Sequence, residues 1–417
     1  MPAIENRQSK IEDFLEGMRQ KRPSSTLILF ASLFIVMLGF GIVVPILPFY
    51  ATYFGASGRE LGLMMAIYSL MQFVCAPIWG RWSDRVGRKP ILLIGLVGFA
   101  LSFGLMGLAQ NVWQLIAARA LAGILSSATL PATFAYIGDS TSSENRCGGM
   151  GILGAAMGLG MIFGPLLGGP LGKIALPLPF FAAVGFAIIA AFFAFIMLPE
   201  SLTVDERVAP HGASQSRARE LIGALRGPMA FLFVTAFFLA FALANFEAVL
   251  GLFALDRFGL GPDQVGYLMG AFGFLGAIQQ GVIIGPLTRK MGEVRVLQSG
   301  LILSVIGFVG TALSREVWVF VALSALFNFG NALLRPSVAS LISQRATTGQ
   351  GIAMGLENSF MSLGRATGPL WAGYSYDIHQ EYPFYSGALF QAIAFVLSFS
   401  MVQGMQPSDA VEESVGK

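Results

Sequence analysis

Twelve stretches of mostly apolar residues, each long enough to cross a lipid bilayer, run through this chain with short polar segments between them. A hydrocarbon layer about 30 Å thick takes about 20 residues as a helix. The stretches lie at roughly 26–49, 61–80, 90–109, 112–137, 148–172, 178–198, 229–253, 264–287, 295–313, 317–341, 351–373 and 383–403. Inside lipid every backbone N–H and C=O needs a partner, and a helix supplies them within one segment. The expected fold class is therefore an all-α membrane protein of twelve transmembrane helices. Composition points the same way: 12% of residues are charged, against about 25% in a soluble domain, and 55% are hydrophobic.

The first 25 residues are polar and mixed in charge, and the apolar run after them is longer than a signal-peptide core. They read as a cytoplasmic arm. The longest polar linker, 199–228, divides the stretches six and six. The expected organisation is thus an arm (1–25), a first six-helix bundle (26–198), a cytoplasmic linker, a second bundle (229–403) and a cytoplasmic tail (404–417). Basic residues set the orientation. The arm and the connections after even-numbered stretches collect Arg7, Lys10, Arg19, Arg81, Arg85, Arg88, Lys89, Arg217, Arg219, Arg289, Lys290 and Arg345, among others. The remaining connections hold only Arg59, Lys173, Arg257 and Arg315. A multi-pass protein of the cell (inner) membrane is expected, with both termini in the cytoplasm.

The halves align at an offset of about 205 residues. Gly80-Arg-Trp-Ser-Asp-Arg-Val-Gly faces Gly285-Pro-Leu-Thr-Arg-Lys-Met-Gly, and Gly164-Pro-Leu-Leu-Gly-Gly faces Gly368-Pro-Leu-Trp-Ala-Gly. Two matches in order argue for a duplicated six-helix unit, a plan that lets two parallel halves rock about a site at the bilayer midplane.

The segment Gly80–Lys89 combines two glycines read as turn-formers, Gly80 and Gly87, with Asp84 and the basic residues Arg85 and Arg88. Asp84 can accept hydrogen bonds from a helix N-terminus or an arginine, a contact suited to gating the cytoplasmic side. Gly160, Gly164 and Gly168 recur every fourth residue, a spacing that lets a neighbouring helix approach closely, and Pro165 can bend the helix. Gly368 and Pro369 repeat the pattern.

Gly80 to Pro90 closely resembles the loop motif of the major facilitator superfamily. Leu115 to Ile124, with Arg119, resembles the fourth-helix motif of its proton-coupled members, and Gly154 to Gly169 resembles the fifth-helix motif of its antiporters. The first half, with Tyr68-Ser-Leu-Met-Gln-Phe, is similar to tetracycline–proton antiporters. The second, from Phe241-Ala-Leu-Ala-Asn-Phe-Glu to Leu334-Arg-Pro, is similar to quinolone and multidrug efflux pumps of Gram-positive bacteria. The resemblance implies two six-helix bundles, a proton-coupled antiporter of small amphipathic or hydrophobic compounds, and hinge roles for Gly160, Gly164, Pro165, Gly168, Gly368 and Pro369. Two departures stand out. The first-span aspartate of the tetracycline exporters is replaced by Val36, and the tenth-span aspartate of the multidrug pumps by Ala332.

Charges inside spans are expensive and mark function. Glu247, set among Phe246, Val249 and Leu250, is the first candidate for proton coupling, a role the resemblance also implies. Glu357 on span eleven and Arg335 on span ten are expected to meet as an ion pair closing, or gating, the cytoplasmic side. Glu357 is also a candidate coupling group in place of the missing aspartates. Arg119 is expected to tune a carboxyl or the proton path, and Arg365 has no transferable role. The substrate pocket is expected from Gln72, Phe241, Asn245, Gln279, Asn328, Asn331 and Phe360, with Phe134, Phe238 and Gln280 beside them. Aromatic and amide groups suit amphipathic compounds.

Cys75 and Cys147 form no CxxC, the two histidines His211 and His379 are far apart, and no phosphate loop is present. No metal, cofactor or enzymatic centre is expected. The partners expected are a small-molecule substrate, protons and the lipid bilayer, with no nucleic acid, for a monomer. A dedicated exporter of one metabolite or of an antibiotic such as tetracycline, and a non-transporting membrane receptor, stay open as alternatives.

Overall fold

The computed structural model describes residues 25–140, 146–202, 229–345 and 350–403. The terminal arm and tail and nearly all of the linker lie outside them. Among the described residues the elements are helices, in twelve successive passes. Span one is Ser25–Val43 followed by Leu47–Tyr53. Spans two to six are Gly58–Val86, Arg88–Gly107, Val112–Ser140, Arg146–Ile174 and Leu178–Met197. Spans seven to twelve are Ala230–Phe258, Pro262–Met291, Glu293–Leu313, Val317–Arg345, Gln350–Ile378 and Tyr382–Gln403.

Ten of these are long and apolar enough to cross a membrane, and the two pieces of span one make an eleventh. Span eleven has 29 residues, but Glu357, Arg365 and Asp377 dilute its apolar character. It still belongs to the bundle, packed along spans two and seven. The outward surface is rich in large apolar side chains such as Ile188, Phe192, Phe195 and Trp318, the last 80% exposed. Water would not tolerate that surface; acyl chains do.

Three spans are irregular, and each irregularity lies beside a proline. Span one bends by 43° across Val44–Ile46, at Pro45. Span four breaks at Ser127–Ala128, where the Pro131 ring crowds the carbonyl four residues back. In span eight, Gln279–Ile283 widens into a π-turn just before Pro286. Spans five and eleven behave differently. Both remain helical through Pro165 and Pro369. The turn read at Gly80 is not there, because Gly80 lies inside the helix Gly58–Val86. Gly87 does turn the chain, at φ 118°, a value that disfavours any side chain.

Within the first half, span one packs on spans five and six, and span three on four and six. In the second half, span seven packs on eleven and twelve, and span nine on ten and twelve. The Gly160, Gly164 and Gly168 row faces span one, with Gly164 against Gly41 and Gly168 against Ile42. Gly364 and Gly368 face span seven in the same way, against Phe237 and Phe241. The second half is consolidated by a ring cluster: the Phe246 ring lies tilted 4.3 Å from Phe327 and edge-on 5.8 Å from Phe308, and Phe253 lies 4.7 Å from Phe384. Such pairs contribute about 0.5–1.5 kcal/mol each beyond burial.

The connections after odd-numbered spans gather at one end of the bundle, here the far end; the near end is where Ser25 begins. At the far end the halves are zipped along two repeat-equivalent seams. Span five meets span eight: Gly266 sits on the Pro165 carbonyl and the Gly169 backbone, and Gly270 on Leu166. Span eleven meets span two: Gly62 sits on the Pro369 carbonyl, and Gly373 on Gly58. Each seam carries an ion pair. Lys173 Nζ lies 2.7 Å from Asp263. Asp377 accepts from the Gly58 and Arg59 amides at 2.7 and 3.0 Å, with Arg59 Nε at 3.5 Å. Lys173 and Asp377 occupy equivalent places in the repeat, as do Asp263 and Arg59, so the two latches carry opposite polarity.

Beside the second latch, Arg257 and Tyr385 hydrogen-bond Glu381 at 2.6 and 3.0 Å. Burial alone would raise the Glu381 carboxyl, but these bonds outweigh it and hold it below its ordinary value. That tie is therefore present above the ordinary value and is lost as pH falls through the lowered one.

Toward the near end the halves part. The places where a Cβ would stand at Gly154, Gly158, Gly276 and Gly281 have no neighbour within 4 Å. Substituting a seam glycine, Gly266→Leu or Gly62→Leu, is expected to disfavour the arrangement closed at the far end by about 1–3 kcal/mol, the usual cost of overpacking. Distances between spin labels on the far ends of spans five and eight should lengthen in the variants. Reversing the first latch by Lys173→Asp should loosen that seam several-fold, and adding Asp263→Lys should tighten it again.

Candidate functional site

Between the halves, on the near side of the seams, lies a cavity of about 970 Å³. Spans five, seven, eight and ten form its walls. Leu159, Leu243, Leu250, Met269 and Phe272 supply apolar surface, and the bare Gly154, Gly158, Gly273, Gly276 and Gly281 widen it. Polar groups enter from Gln280 in the π-turn of span eight and from Asn328 and Asn331 on span ten. Two charged side chains project into the same space. Glu247 comes from span seven and Arg335 from span ten, and both are exposed to it. Ala332, where the resembling pumps carry an aspartate, lines the wall one turn before Arg335.

Glu247 is therefore a cavity-wall carboxyl. Its helix explains the geometry: Phe246 turns into the aromatic cluster while Glu247, one residue on, faces the opposite half. Its electrostatic partner is Arg365 on span eleven. Arg365 is itself close enough to feel Arg335 and Tyr68. Arg335 in turn feels Glu357. The expected contact pair between Glu357 and Arg335 is not formed among the described residues. Glu357 is buried at 4% exposure, while Arg335 reaches into the cavity. Charges that the sequence scatters over three spans thus make one linked set, from Glu357 through Arg335 and Arg365 to Glu247.

Arg119 is not beside a carboxyl. It is buried, held 4.5 Å over the Tyr68 ring and 5.6 Å from that of Phe40, and its Nε and Nη1 have no hydrogen-bond partner. Desolvated cation–π contacts of this kind contribute about 2 kcal/mol. Tyr68 lies under Arg119 of its own half and near Arg365 of the other.

Five expected pocket residues are elsewhere. Asn245 is fully buried, its amide donating to the Pro383 carbonyl at 2.6 Å. Gln279 is buried with its amide on the Phe329 carbonyl at 2.5 Å. Phe241 packs in the core, 4.7 Å from Phe390, and Phe360 stacks 5.6 Å from Phe233. Gln72 is half-buried on span two, away from the cavity walls. The amide at Gln280 is in place, and so are Asn328 and Asn331.

The near-end loop is organised around Arg88. Its side chain binds Asp84, Ser83 at 3.2 Å and Asp139 on span four at 2.9 Å. Asp84 therefore pairs within its own half, and Arg85 is exposed. A carboxylate does cap a helix here, but it is Glu200, which accepts from the Arg88 and Lys89 amides at 2.8 and 3.2 Å. A Cβ on Gly87 would stand 2.5 Å from the Glu200 carboxylate. Glu200, Asp139 and the latch residues Arg59, Lys173, Asp263 and Asp377 escape sequence reasoning. Comparing charges at repeat-equivalent positions is the signal that would have flagged the latches.

No cluster of three potential metal ligands occurs among the described residues. The description "Major Facilitator Superfamily" belongs to the family profile that matches residues 29–283 and 232–416. Multidrug resistance protein 1 of Bacillus subtilis is 33% identical over 383 residues, 91% of this chain and 97% of that protein. Multidrug resistance protein 2 of the same organism is 30% identical over 387 residues, 92% and 96% of the two chains. Among solved structures, the human organic anion transporter MFSD10 aligns at a TM-score of 0.65 and 26% identity, over 90% of this chain and 100% of its own.

Arg88→Ala would leave Asp139 without its cation and is expected to lower stability by about 2 kcal/mol. Gly87→Ala should act in the same direction by displacing Glu200. Thermal unfolding of the purified protein in detergent measures both, with Arg85→Ala expected near wild type.

Proposed function

The chain belongs to the Major Facilitator Superfamily, and we propose that it exports small amphipathic compounds across the cell membrane in exchange for protons. The observation that carries the reading is Glu247: a carboxyl in the wall of an otherwise apolar cavity, between halves that are sealed on one side of it only. The resemblance to multidrug resistance proteins over more than nine-tenths of the chain supports export of more than one compound.

The basic near-end connections put that end in the cytoplasm. The arrangement sealed at the far end then faces inward. A compound enters from the cytoplasm or the inner leaflet and lays its apolar body on Leu243, Leu250, Met269 and Phe272. The amides of Gln280, Asn328 and Asn331 orient it, and ionised Glu247 holds a cationic group. Rocking separates the far-end seams and breaks the latches at Lys173–Asp263 and Arg59–Asp377. From outside, a proton neutralises Glu247 and weakens its hold on the cation, so the compound leaves. With Glu247 neutral, the halves return and the proton is released inward. Proton and substrate charge thus compete for one carboxyl, and that competition is what couples the two movements.

Span one packs tightly on span five through Gly160, Gly164 and Gly168, so each half moves as a body. Tyr68, under Arg119 in the first body, lies near Arg365 of the second.

In inside-out vesicles with a trapped pH dye, amphipathic cations should dissipate an imposed proton gradient through the wild type. Glu247→Gln should cut that response at least ten-fold while the protein stays folded. An undiminished response in Glu247→Gln, or no response to any compound in the wild type, would overturn the reading.

A further inference from the structure

We infer that an anionic phospholipid binds the lipid-facing side of the first half, with one acyl chain in a trough between spans three and six and its phosphate at Lys89. The site lies on the outer wall of the bundle, away from the cavity between the halves, and owes nothing to the transport reading.

The trough has a volume of about 580 Å³ and is lined by apolar side chains alone. The buried Ala187 and the half-buried Ala100 and Ala191 form its floor, and the exposed Val97, Ile188 and Phe192 stand at its rims. Spans three and six run in opposite directions, with Gly107 against Phe181 at the far end. At the near end Lys89 holds its ammonium 5.6 Å from the centre of the Phe195 ring, which lines the trough. The acids around Lys89 are engaged elsewhere. Asp84 and Asp139 pair with Arg88. Glu200 accepts from the backbone amides of Arg88, Lys89, Ser201 and Leu202.

A cation at the membrane surface, at the mouth of an apolar trough, matches the two parts of a phospholipid together. From Lys89 to Leu101 span three rises about 18 Å, and one leaflet's share of the hydrocarbon core is about 15 Å. A single chain whose headgroup sits at Lys89 therefore fills the trough along its length. A choline headgroup brings its own cation to that place. A glycerol headgroup leaves the phosphate charge to Lys89.

The internal repeat supplies a comparison within the molecule. Gly87 before span three corresponds to Gly292 before span nine, and Pro179-Phe180 of span six to Pro383-Phe384 of span twelve. In that register Lys89 becomes Val294, Ala100 becomes Val305, Ala187 becomes Gln391 and Ala191 becomes Phe395. Larger side chains stand where the floor would be, and the cation is gone. Spans nine and twelve are tied directly, with Gln298, in the place of Leu93, donating to Ser398 at 3.1 Å. Bulk lipid covers both halves alike and gives no reason for this difference.

The test is native mass spectrometry of the purified full-length protein in detergent, titrated with dioleoylphosphatidylglycerol or dioleoylphosphatidylcholine. The first phosphatidylglycerol should bind about five-fold tighter than the first phosphatidylcholine. Lys89→Gln should erase that preference and leave phosphatidylcholine binding unchanged, which also shows the variant folded. Arg85→Gln, which removes an exposed charge nearby, should keep the preference. Ala191→Phe, which copies the second half, and Val97→Trp, at an exposed rim where folding is not at stake, should each weaken the first binding of both lipids about ten-fold. Equal affinity for the two lipids in the wild type would overturn the inference. So would an equal loss of preference in Lys89→Gln and Arg85→Gln, the mark of diffuse surface charge, or a Val97→Trp variant that binds as the wild type does. A dimer that Val97→Trp dissociates, with no selective lipid on the wild type, would also overturn it and give the trough to a second copy of the chain.

Discussion

Where two helices must slide past each other in lipid, what decides how close they come is the absence of side chains. Gly62 and Gly373 bring spans two and eleven together backbone to backbone, and Gly266 and Gly169 do so for spans five and eight. Each seam rests on the carbonyl of a proline, Pro369 or Pro165, inside a helix that runs through it. The other face of each proline helix carries a second glycine row that grips its own half. One helix therefore has a permanent partner and a separable one. Lipid offers no hydrophobic drive to hold helices together, so such close packing supplies the attraction. A seam made of small van der Waals contacts with one ion pair can open without exposing a large apolar surface to water.

The same economy governs charge. The second half keeps its core aromatic, with Phe246 against Phe308, Phe327 and Phe384. Glu247 and Arg335 are held at the boundary between the halves, in the wall of the cavity. Glu247, Arg335 and Arg365 are distributed over spans seven, ten and eleven, so each senses movement of its helix. Arg119, carried by the first half, is shielded between Tyr68 and Phe40 in place of a counter-ion. At the near end, Arg88 gathers Asp84 and Asp139 while Glu200 caps the following helix, which stiffens the first half as a unit.

Reading from sequence succeeds where one segment contains its own physics. Apolar length locates the spans, but proline does not locate the breaks: spans one, four and eight break beside Pro45, Pro131 and Pro286, while spans five and eleven, where a bend is expected, run helical through Pro165 and Pro369. It fails where a side chain's surroundings come from distant segments. Asn245 and Gln279 look like ligands for a solute because an amide in an apolar helix demands a partner. Their partners turn out to be the backbone carbonyls of Pro383 and Phe329. Phe241 and Phe360 are lost to the core for the same reason. Gln280, next to Gln279, faces the cavity instead, because neighbouring residues of a helix point about 100° apart.

The sequence alone determined that the chain is a duplicated bundle of membrane helices, since hydropathy, length and internal repetition act along the chain and need no third dimension. It also marked Glu247 and Arg335 as exceptional, because an ionisable group in a span is costly wherever it lies. Tertiary structure alone decided that these two share one cavity while Glu357 is buried behind it, and that Arg119 faces rings and not an acid. It alone paired Lys173 with Asp263 and Arg59 with Asp377. Electrostatic interaction depends on distance in space, and the distances that matter here join residues about 90 to more than 300 positions apart.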